Sequence, residues 1–132
     1  MSAAQGKRIL VVEDEALIAD MVVDMLAELG ASVIGPAGTV SAGCALAESN
    51  AIDAAILDVN IRADRVDPVA AILRQRGIPL VFATGYGMSI GSLADGALVL
   101  EKPYTLQKLE ATLSEAFRLS LLAGDVGPST PA

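Results

Sequence analysis

Short apolar runs alternate along the chain with segments in which apolar residues recur at helical spacing. Continuous apolar runs bounded by turn residues are typical of buried strands. The five predicted strands cover residues 8–12, 32–35, 53–58, 79–84 and 97–101. Strand alternating with helix in this way predicts an α/β fold, a three-layer doubly wound structure with a five-stranded parallel sheet covered on both faces.

The helices between these strands differ in how strongly the sequence indicates them. In 16–29 the apolar residues fall on one helical face, and Gly30 is placed to end the helix. Further helices are predicted at 39–49, 67–76 and 105–122. The glycine-rich stretch 85–96 predicts only a short or loose fourth helix, because each glycine weakens a helix by about 1 kcal/mol.

One domain is expected over residues 7–122. We expect residues 1–6 to be a flexible N-terminus with no signal-peptide pattern. The small, polar residues 123–132 are predicted to be a disordered tail.

Composition narrows the possible chemistry. The chain has 132 residues, no histidine and one cysteine, so Ser-His-Asp catalysis, histidine-ligated zinc and an internal disulfide are excluded. The single cysteine is typical of a cytoplasmic protein. A formal charge of −7 argues against nucleic acid and anionic membranes as partners. Any metal must be held by oxygen ligands, which suits Mg²⁺.

Four of the five predicted strands are followed by a chemically useful side chain. Glu13 and Asp14 follow the first strand, Asp58 ends the third, Thr84 ends the fourth and Lys102 follows the fifth. Taken singly, each has an ordinary structural explanation as a helix cap, a turn residue or a solvated charge. Parallel strands bring their carboxyl ends to one edge of the sheet, which is where ligands bind in such folds.

Together these residues favour phosphoryl transfer. Three converging carboxylates repel one another, and a divalent cation removes that repulsion. The cation and Lys102 would neutralise a transferring phosphoryl group, while Thr84 would hydrogen-bond one of its oxygens. A carboxylate can act as the nucleophile and form an acyl phosphate. Asp58, at the middle strand end, is the best placed for that role.

Four segments carry a resemblance to a known family: ILVVEDE (9–15), ILDVN (56–60), FATGY (82–86) and EKPY (101–104). Together and in this order they resemble a receiver domain of two-component response regulators, over about Lys7 to Leu121. The segment GIPLVFATGYG (77–87) is similar to the FAT GUY receivers, often stand-alone domains of alphaproteobacteria. The resemblance implies the flavodoxin-like strand order 2-1-3-4-5.

The resemblance also implies a role for each matching residue. Asp58 resembles the phosphoacceptor, Thr84 the switch hydroxyl and Lys102 the lysine that pairs with the phosphoryl group. The Lys102–Pro103 peptide is expected to be cis. The implied Mg²⁺ ligands are Asp58, Asp14, Glu13 through a water molecule, and the backbone carbonyl of Asn60.

Three features depart from the family pattern. Val99 stands where many receivers carry an aromatic residue, the interval from Thr84 to Lys102 is short, and the loop after Asp58 lacks a glycine-rich turn. We therefore hypothesise a different switch, in which phosphorylation orders residues 84–96 and Tyr86 shifts.

The implied function is that of a single-domain response regulator. It would accept a phosphoryl group from a histidine kinase on Asp58, with Mg²⁺, in a self-catalysed reaction that is not enzymatic turnover. It would signal to a downstream protein partner or act as a phosphate sink, as a monomer or weak dimer. One alternative is a phosphorylation-independent binding module. A haloacid-dehalogenase-type phosphatase is a weaker one, because Asn60 stands where its second aspartate belongs.

Overall fold

The computed structural model describes residues 2–62, 64–85 and 98–126, with side chains as far as residue 122. Five parallel strands form the main sheet: β1 (Arg8–Val12), β2 (Ser32–Ala37), β3 (Ala54–Asp58), β6 (Leu80–Thr84) and β7 (Leu98–Glu101). Their order across the sheet is β2–β1–β3–β6–β7. The predicted doubly wound sheet and its order 2-1-3-4-5 are confirmed, with β6 and β7 as the fourth and fifth main strands.

Four helices flank this sheet in the described part of the chain. They are α1 (Ala16–Glu28), α2 (Val40–Ser49), α3 (Asp67–Gln75) and α4 (Leu106–Val126). None of the helices among the described residues combines the length and apolar character that crossing a membrane requires. The region 86–97, which includes most of the predicted short or loose fourth helix and Tyr86, lies outside the described residues.

The two faces of the sheet form separate apolar cores. Successive strand residues point to opposite faces, so Leu57 and Phe82 pack under α2 and α3, whereas Ile56 and Val81 pack under α1 and α4. Every residue of β3 and β6 is buried. This burial on both faces explains why these strands are continuous apolar runs and do not alternate with polar residues.

Local signals determine most helix ends. Gly30 has φ +82°, so it takes the left-handed conformation that ends α1 after the C-cap Leu29. The hydroxyl oxygen of Thr39 accepts a hydrogen bond from the backbone N–H of Ala42 (3.0 Å), and that of Thr105 accepts one from the N–H of Lys108 (3.1 Å). Both threonines therefore cap the helices that follow them.

Both ends of the domain make defined structure among the described residues. Residues 3–6 form turns, Ala4 is buried in the α1–α4 core, and the Gly6 N–H donates to the Gly30 carbonyl oxygen (2.9 Å). At the other end α4 continues to Val126, four residues past its predicted end, and residues 127–132 lie outside the described part.

A two-stranded antiparallel hairpin, not predicted from sequence, follows β3. Its strands are β4 (Asn60–Ile61) and β5 (Asp64–Arg65). The N–H of Val66 donates to the carbonyl oxygen of Val59 (2.9 Å), which closes the base of the hairpin. Val59, Ile61 and Val66 are buried, so apolar burial anchors this loop beside the end of β3.

Candidate functional site

Five predicted site residues meet at the carboxyl end of the sheet. Glu13 and Asp14 follow β1, Asp58 ends β3, Thr84 ends β6 and Lys102 follows β7. The parallel register places Asp58 opposite Ala83 and Thr84 opposite Glu101, so these strands end at nearly the same level. This common edge is what brings residues distant in sequence together.

Three carboxylates form the acidic part of the site. Glu13, Asp14 and Asp58 each offer an oxygen atom, and these atoms all lie within 4.8 Å of one another. Glu13 and Asp58 are only 6% and 8% exposed. Carboxylate oxygens gathered at this spacing fit a hard cation such as Mg²⁺, so the residues present suit the metal that the sequence predicts.

The ionisation of Glu13 reflects its crowded surroundings. Burial raises the pKa of this carboxyl above its ordinary value, and the nearby charge of Asp58 adds to the increase. Hydrogen bonds from Lys102 and from the backbone N–H of Glu15 oppose the shift without cancelling it. Burial therefore outweighs the stabilisation that Lys102 gives to the ionised form of Glu13.

Lys102 lies at the centre of the cluster. Its Nζ is 2.9 Å from Asp58 Oδ2, 2.9 Å from Glu13 Oε1 and 3.9 Å from Glu15 Oε1. Burial acts to lower the pKa of Lys102, but its hydrogen bonds to Glu13 and Asp58 outweigh that effect and raise the pKa. The lysine is thus a fixed ammonium group in contact with the predicted phosphoacceptor.

The backbone holds this lysine in place. The Lys102 N–H donates to the Thr84 carbonyl oxygen (2.8 Å), which ties the end of β7 to the end of β6. The Lys102–Pro103 peptide is cis, as the resemblance implies. A second cis peptide, Gly35–Pro36, lies at the end of β2 and was not predicted.

Thr84 is the last residue of β6, and Asn60 follows the end of β3 by two residues. Thr84 is buried, and its hydroxyl makes a long contact of 3.4 Å with the carbonyl oxygen of Gly85. Asn60 begins β4 two residues after Asp58 and pairs with Arg65 across the hairpin. Both residues are thus adjacent to the strand ends at which the sequence places them.

Some contacts at the site are not predicted by the motifs. The backbone N–H of Arg62 donates to Asp14 Oδ2 (2.8 Å), and Glu15 extends the acidic surroundings of Lys102. Tyr104 lies beside the cluster, where burial first and the charge of Glu13 second raise its pKa to about 12. The positions of Arg62, Glu15 and Tyr104 in the sequence do not reveal these contacts, because the contacts depend on the conformation of the loops.

Known proteins share the fold of this chain. No family model matches the chain. The solution structure of SdrG from Sphingomonas melonis Fr1 is 43% identical, with 88% of this chain and 98% of that chain covered and a TM-score of 0.77. A response regulator receiver domain protein from Clostridium thermocellum is 25% identical, with 88% and 98% covered and a TM-score of 0.75.

The chain belongs to the response regulator receiver domain family. Among curated proteins, the transcriptional regulatory protein PdtaR of Mycobacterium tuberculosis is 33% identical over 133 residues. That match covers 94% of this chain and 65% of PdtaR, so this receiver domain spans about two thirds of the relative. A structure of SdrG described as its BeF3-activated conformation is 40% identical, with 86% and 98% covered and a TM-score of 0.73.

Val99 marks a departure of this receiver domain from the common pattern. It is 43% exposed on β7, which lies at the edge of the described sheet. An aliphatic side chain here cannot provide the aromatic switch that the resemblance would otherwise imply.

Proposed function

We propose that this receiver domain accepts a phosphoryl group on Asp58 from a histidine kinase in a Mg²⁺-dependent reaction. The main support for the proposal is the contact of Lys102 Nζ with Asp58 Oδ2 at 2.9 Å. Asp58 lies beside Glu13 and Asp14, and one oxygen of each of the three carboxylates lies within 4.8 Å of the others. An ammonium group, an acidic cluster and a nearby hydroxyl are the groups that phosphoryl transfer to a carboxylate requires.

Asp58 is the proposed nucleophile. One of its carboxylate oxygens forms a bond to phosphorus while the bond from phosphorus to the imidazole nitrogen of the donor breaks, and that nitrogen keeps the electron pair. Lys102, already beside Asp58, then contacts a phosphoryl oxygen, and the Thr84 hydroxyl donates a hydrogen bond to another. Water later hydrolyses the acyl phosphate and regenerates the Asp58 carboxylate.

The residues proposed to hold Mg²⁺ are Asp14 and Asp58 directly, Glu13 through water, and the Asn60 backbone carbonyl. When bound, the ion neutralises charge on the acidic cluster and on the transferring group. Activation of the similar protein SdrG with BeF3 supports the same chemistry here.

The phosphorylated domain would then act on a downstream protein. We propose that it works in the cytoplasm as a monomer or weak dimer, through altered protein contacts or as a phosphate sink.

Intact mass spectrometry after incubation with Mg²⁺ and acetyl phosphate tests this proposal. The expected result is a gain of one phosphoryl group that is lost in Asp58→Ala and in the presence of EDTA. No gain from acetyl phosphate or from a purified histidine kinase, together with partner binding that Asp58→Ala leaves unchanged, would favour the phosphorylation-independent binding module. Turnover of a phosphate ester would instead favour the phosphatase.

A further inference from the structure

The residue after β4 has an unusual backbone. Arg62 has φ +59°, and it is the only non-glycine residue with positive φ in the described part of the chain. This left-handed conformation costs an ordinary side chain about 1 to 2 kcal/mol. A residue keeps such a conformation only where surrounding contacts determine it, and such residues cluster at functional sites.

Two contacts hold Arg62 in this conformation. Its backbone N–H donates to Asp14 Oδ2 at 2.8 Å, and its side-chain Nε donates to the carbonyl oxygen of Gly38 at 3.1 Å. Gly38 lies between β2 and α2, whereas Asp14 lies between β1 and α1. Arg62 therefore connects the hairpin after the phosphoacceptor to two other loops at the carboxyl edge of the sheet.

The contact with Asp14 restricts a proposed metal ligand. Asp14 is more exposed than Glu13 or Asp58, so burial alone does not determine where its carboxylate points. The Arg62 N–H engages Oδ2, which orients the whole carboxylate. Partners of this kind outside the ligand shell typically change metal affinity by about 10- to 100-fold.

We propose that Arg62 is a positioning residue of the metal site: its guanidinium anchors the β4–β5 hairpin to the loop before α2, so that its backbone N–H holds the Asp14 carboxylate ready for Mg²⁺. This inference rests on the proposed function, because it assumes that Asp14 binds Mg²⁺. In this role Arg62 acts through Asp14 and need not contact the metal or the phosphoryl group itself.

Charge alone predicts the opposite effect, which makes the inference testable. Removing a positive side chain near an acidic cluster should tighten the binding of a divalent cation. The positioning role predicts weaker binding. Arg62→Val removes the anchor and disfavours the left-handed backbone, whereas Arg62→Gly removes the anchor but readily keeps that backbone.

The first experiment measures the Mg²⁺ dissociation constant of each variant by isothermal titration calorimetry. We expect it to rise about tenfold in Arg62→Val, at the lower end of the usual range for such partners, and by a smaller factor in Arg62→Gly. Arg118→Gln removes the same charge from an exposed pair with Glu115 on α4 and should leave the constant unchanged.

Unchanged or tighter binding in Arg62→Val and Arg62→Gly would overturn the inference. Circular dichroism verifies that each variant is folded, and Arg62→Gly alone decides the question if Arg62→Val is not.

The second experiment uses metal-free protein and therefore does not depend on the proposed chemistry. Asp14→Ala should speed hydrogen exchange of the residue 62 amide at least tenfold, as measured by NMR, because the amide loses a charged acceptor. The control is Asp53→Ala, since Asp53 Oδ2 accepts the N–H of Arg8 (2.8 Å) at the other end of β1. Unchanged exchange in Asp14→Ala would overturn the inference even if wild type binds Mg²⁺. Wild-type protein that binds no Mg²⁺ would overturn the proposed function, and this inference with it.

Discussion

Replacing Lys102 with methionine removes the ammonium group and retains a side chain of similar length. The Lys102 side chain is 14% exposed, and its Nζ lies 2.9 Å from both Glu13 and Asp58. Removal of one partner from a buried ion pair typically costs about 3 to 5 kcal/mol, because the remaining charge is left uncompensated. Since the site opens to solvent at Lys102, we expect the free energy of unfolding to fall by about 3 kcal/mol at pH 7 without Mg²⁺.

The pH dependence of this loss has a definite sign. The pKa of Lys102 is raised above its ordinary 10.5, so the lysine stays charged in wild type throughout the range from pH 4 to pH 8. The pKa of Glu13 is already raised, and loss of Lys102 raises it further. A carboxyl whose pKa is higher in the folded than in the unfolded state stabilises the folded state at low pH. That stabilisation is lost as pH rises through the pKa of the carboxyl in the folded state. The stability gap between wild type and Lys102→Met should therefore be widest near pH 7 and narrow toward pH 4.

Chemical denaturation monitored by circular dichroism at pH 4, 5.5 and 7 measures this gap, and the melting temperature at pH 7 should fall by about 10 °C. Mg²⁺ should stabilise Lys102→Met more than wild type, because the ion replaces the missing positive charge. Arg118→Met, which breaks an exposed pair on α4, is the matched control and should change stability little. A loss below about 1 kcal/mol at pH 7, or a gap that widens as pH falls, would refute this account of the cluster.

Three further predictions concern the same edge of the sheet. Glu13→Gln should stabilise the metal-free protein at pH 7, because burial raises the pKa of the Glu13 carboxyl and so makes its ionised form unfavourable in the folded state. In urea titrations at several pH values, this gain should disappear below pH 4.5, the ordinary pKa of the carboxyl; an equal gain at pH 4 would contradict the assignment. Gly35→Ala should lower the free energy of unfolding by at least about 2 kcal/mol in the same urea titrations. The reason is that Gly35 has φ +99°, and an added Cβ would lie 2.8 Å from the Ala37 backbone nitrogen and 2.9 Å from the Val11 carbonyl oxygen. Unchanged stability would exclude that backbone conformation. In a Tyr86→Phe background, the remaining phenol, Tyr104, should ionise at about pH 12 in an ultraviolet titration; ionisation near pH 10 would show that Tyr104 is not buried as described.

The main sheet is predictable because its physical cause appears in the sequence. Buried strands such as AAILD (β3) and LVFAT (β6) must be apolar on both faces, and such runs are visible without any structural knowledge. The residues at the strand ends could be grouped for the same reason, since parallel strands share one carboxyl edge. Their distances, such as 2.9 Å from Lys102 to Asp58, depend on side-chain packing that no motif specifies.

Features determined by tertiary contacts were not predictable. The β4–β5 hairpin has two residues in each strand, too few for a periodic pattern, and burial of Ile61 and Val66 maintains it. The conformation of Arg62 depends on Asp14 and Gly38, which are distant in sequence. The packed N-terminus depends in the same way on the contact of Gly6 with Gly30. These are interactions between segments, whereas periodicity reports on one segment at a time.

Asp58, among several neighbouring carboxylates, is the residue proposed to receive the phosphoryl group. Borohydride reduction of protein treated with Mg²⁺ and acetyl phosphate converts an aspartyl phosphate to the corresponding alcohol, which peptide mass spectrometry can locate. We expect reduction at Asp58 alone. It should reach the wild-type level in Arg118→Gln and should not occur without Mg²⁺. Reduction at Glu13 or Asp14, or an unreduced Asp58 in protein that carries the added phosphoryl mass, would contradict it.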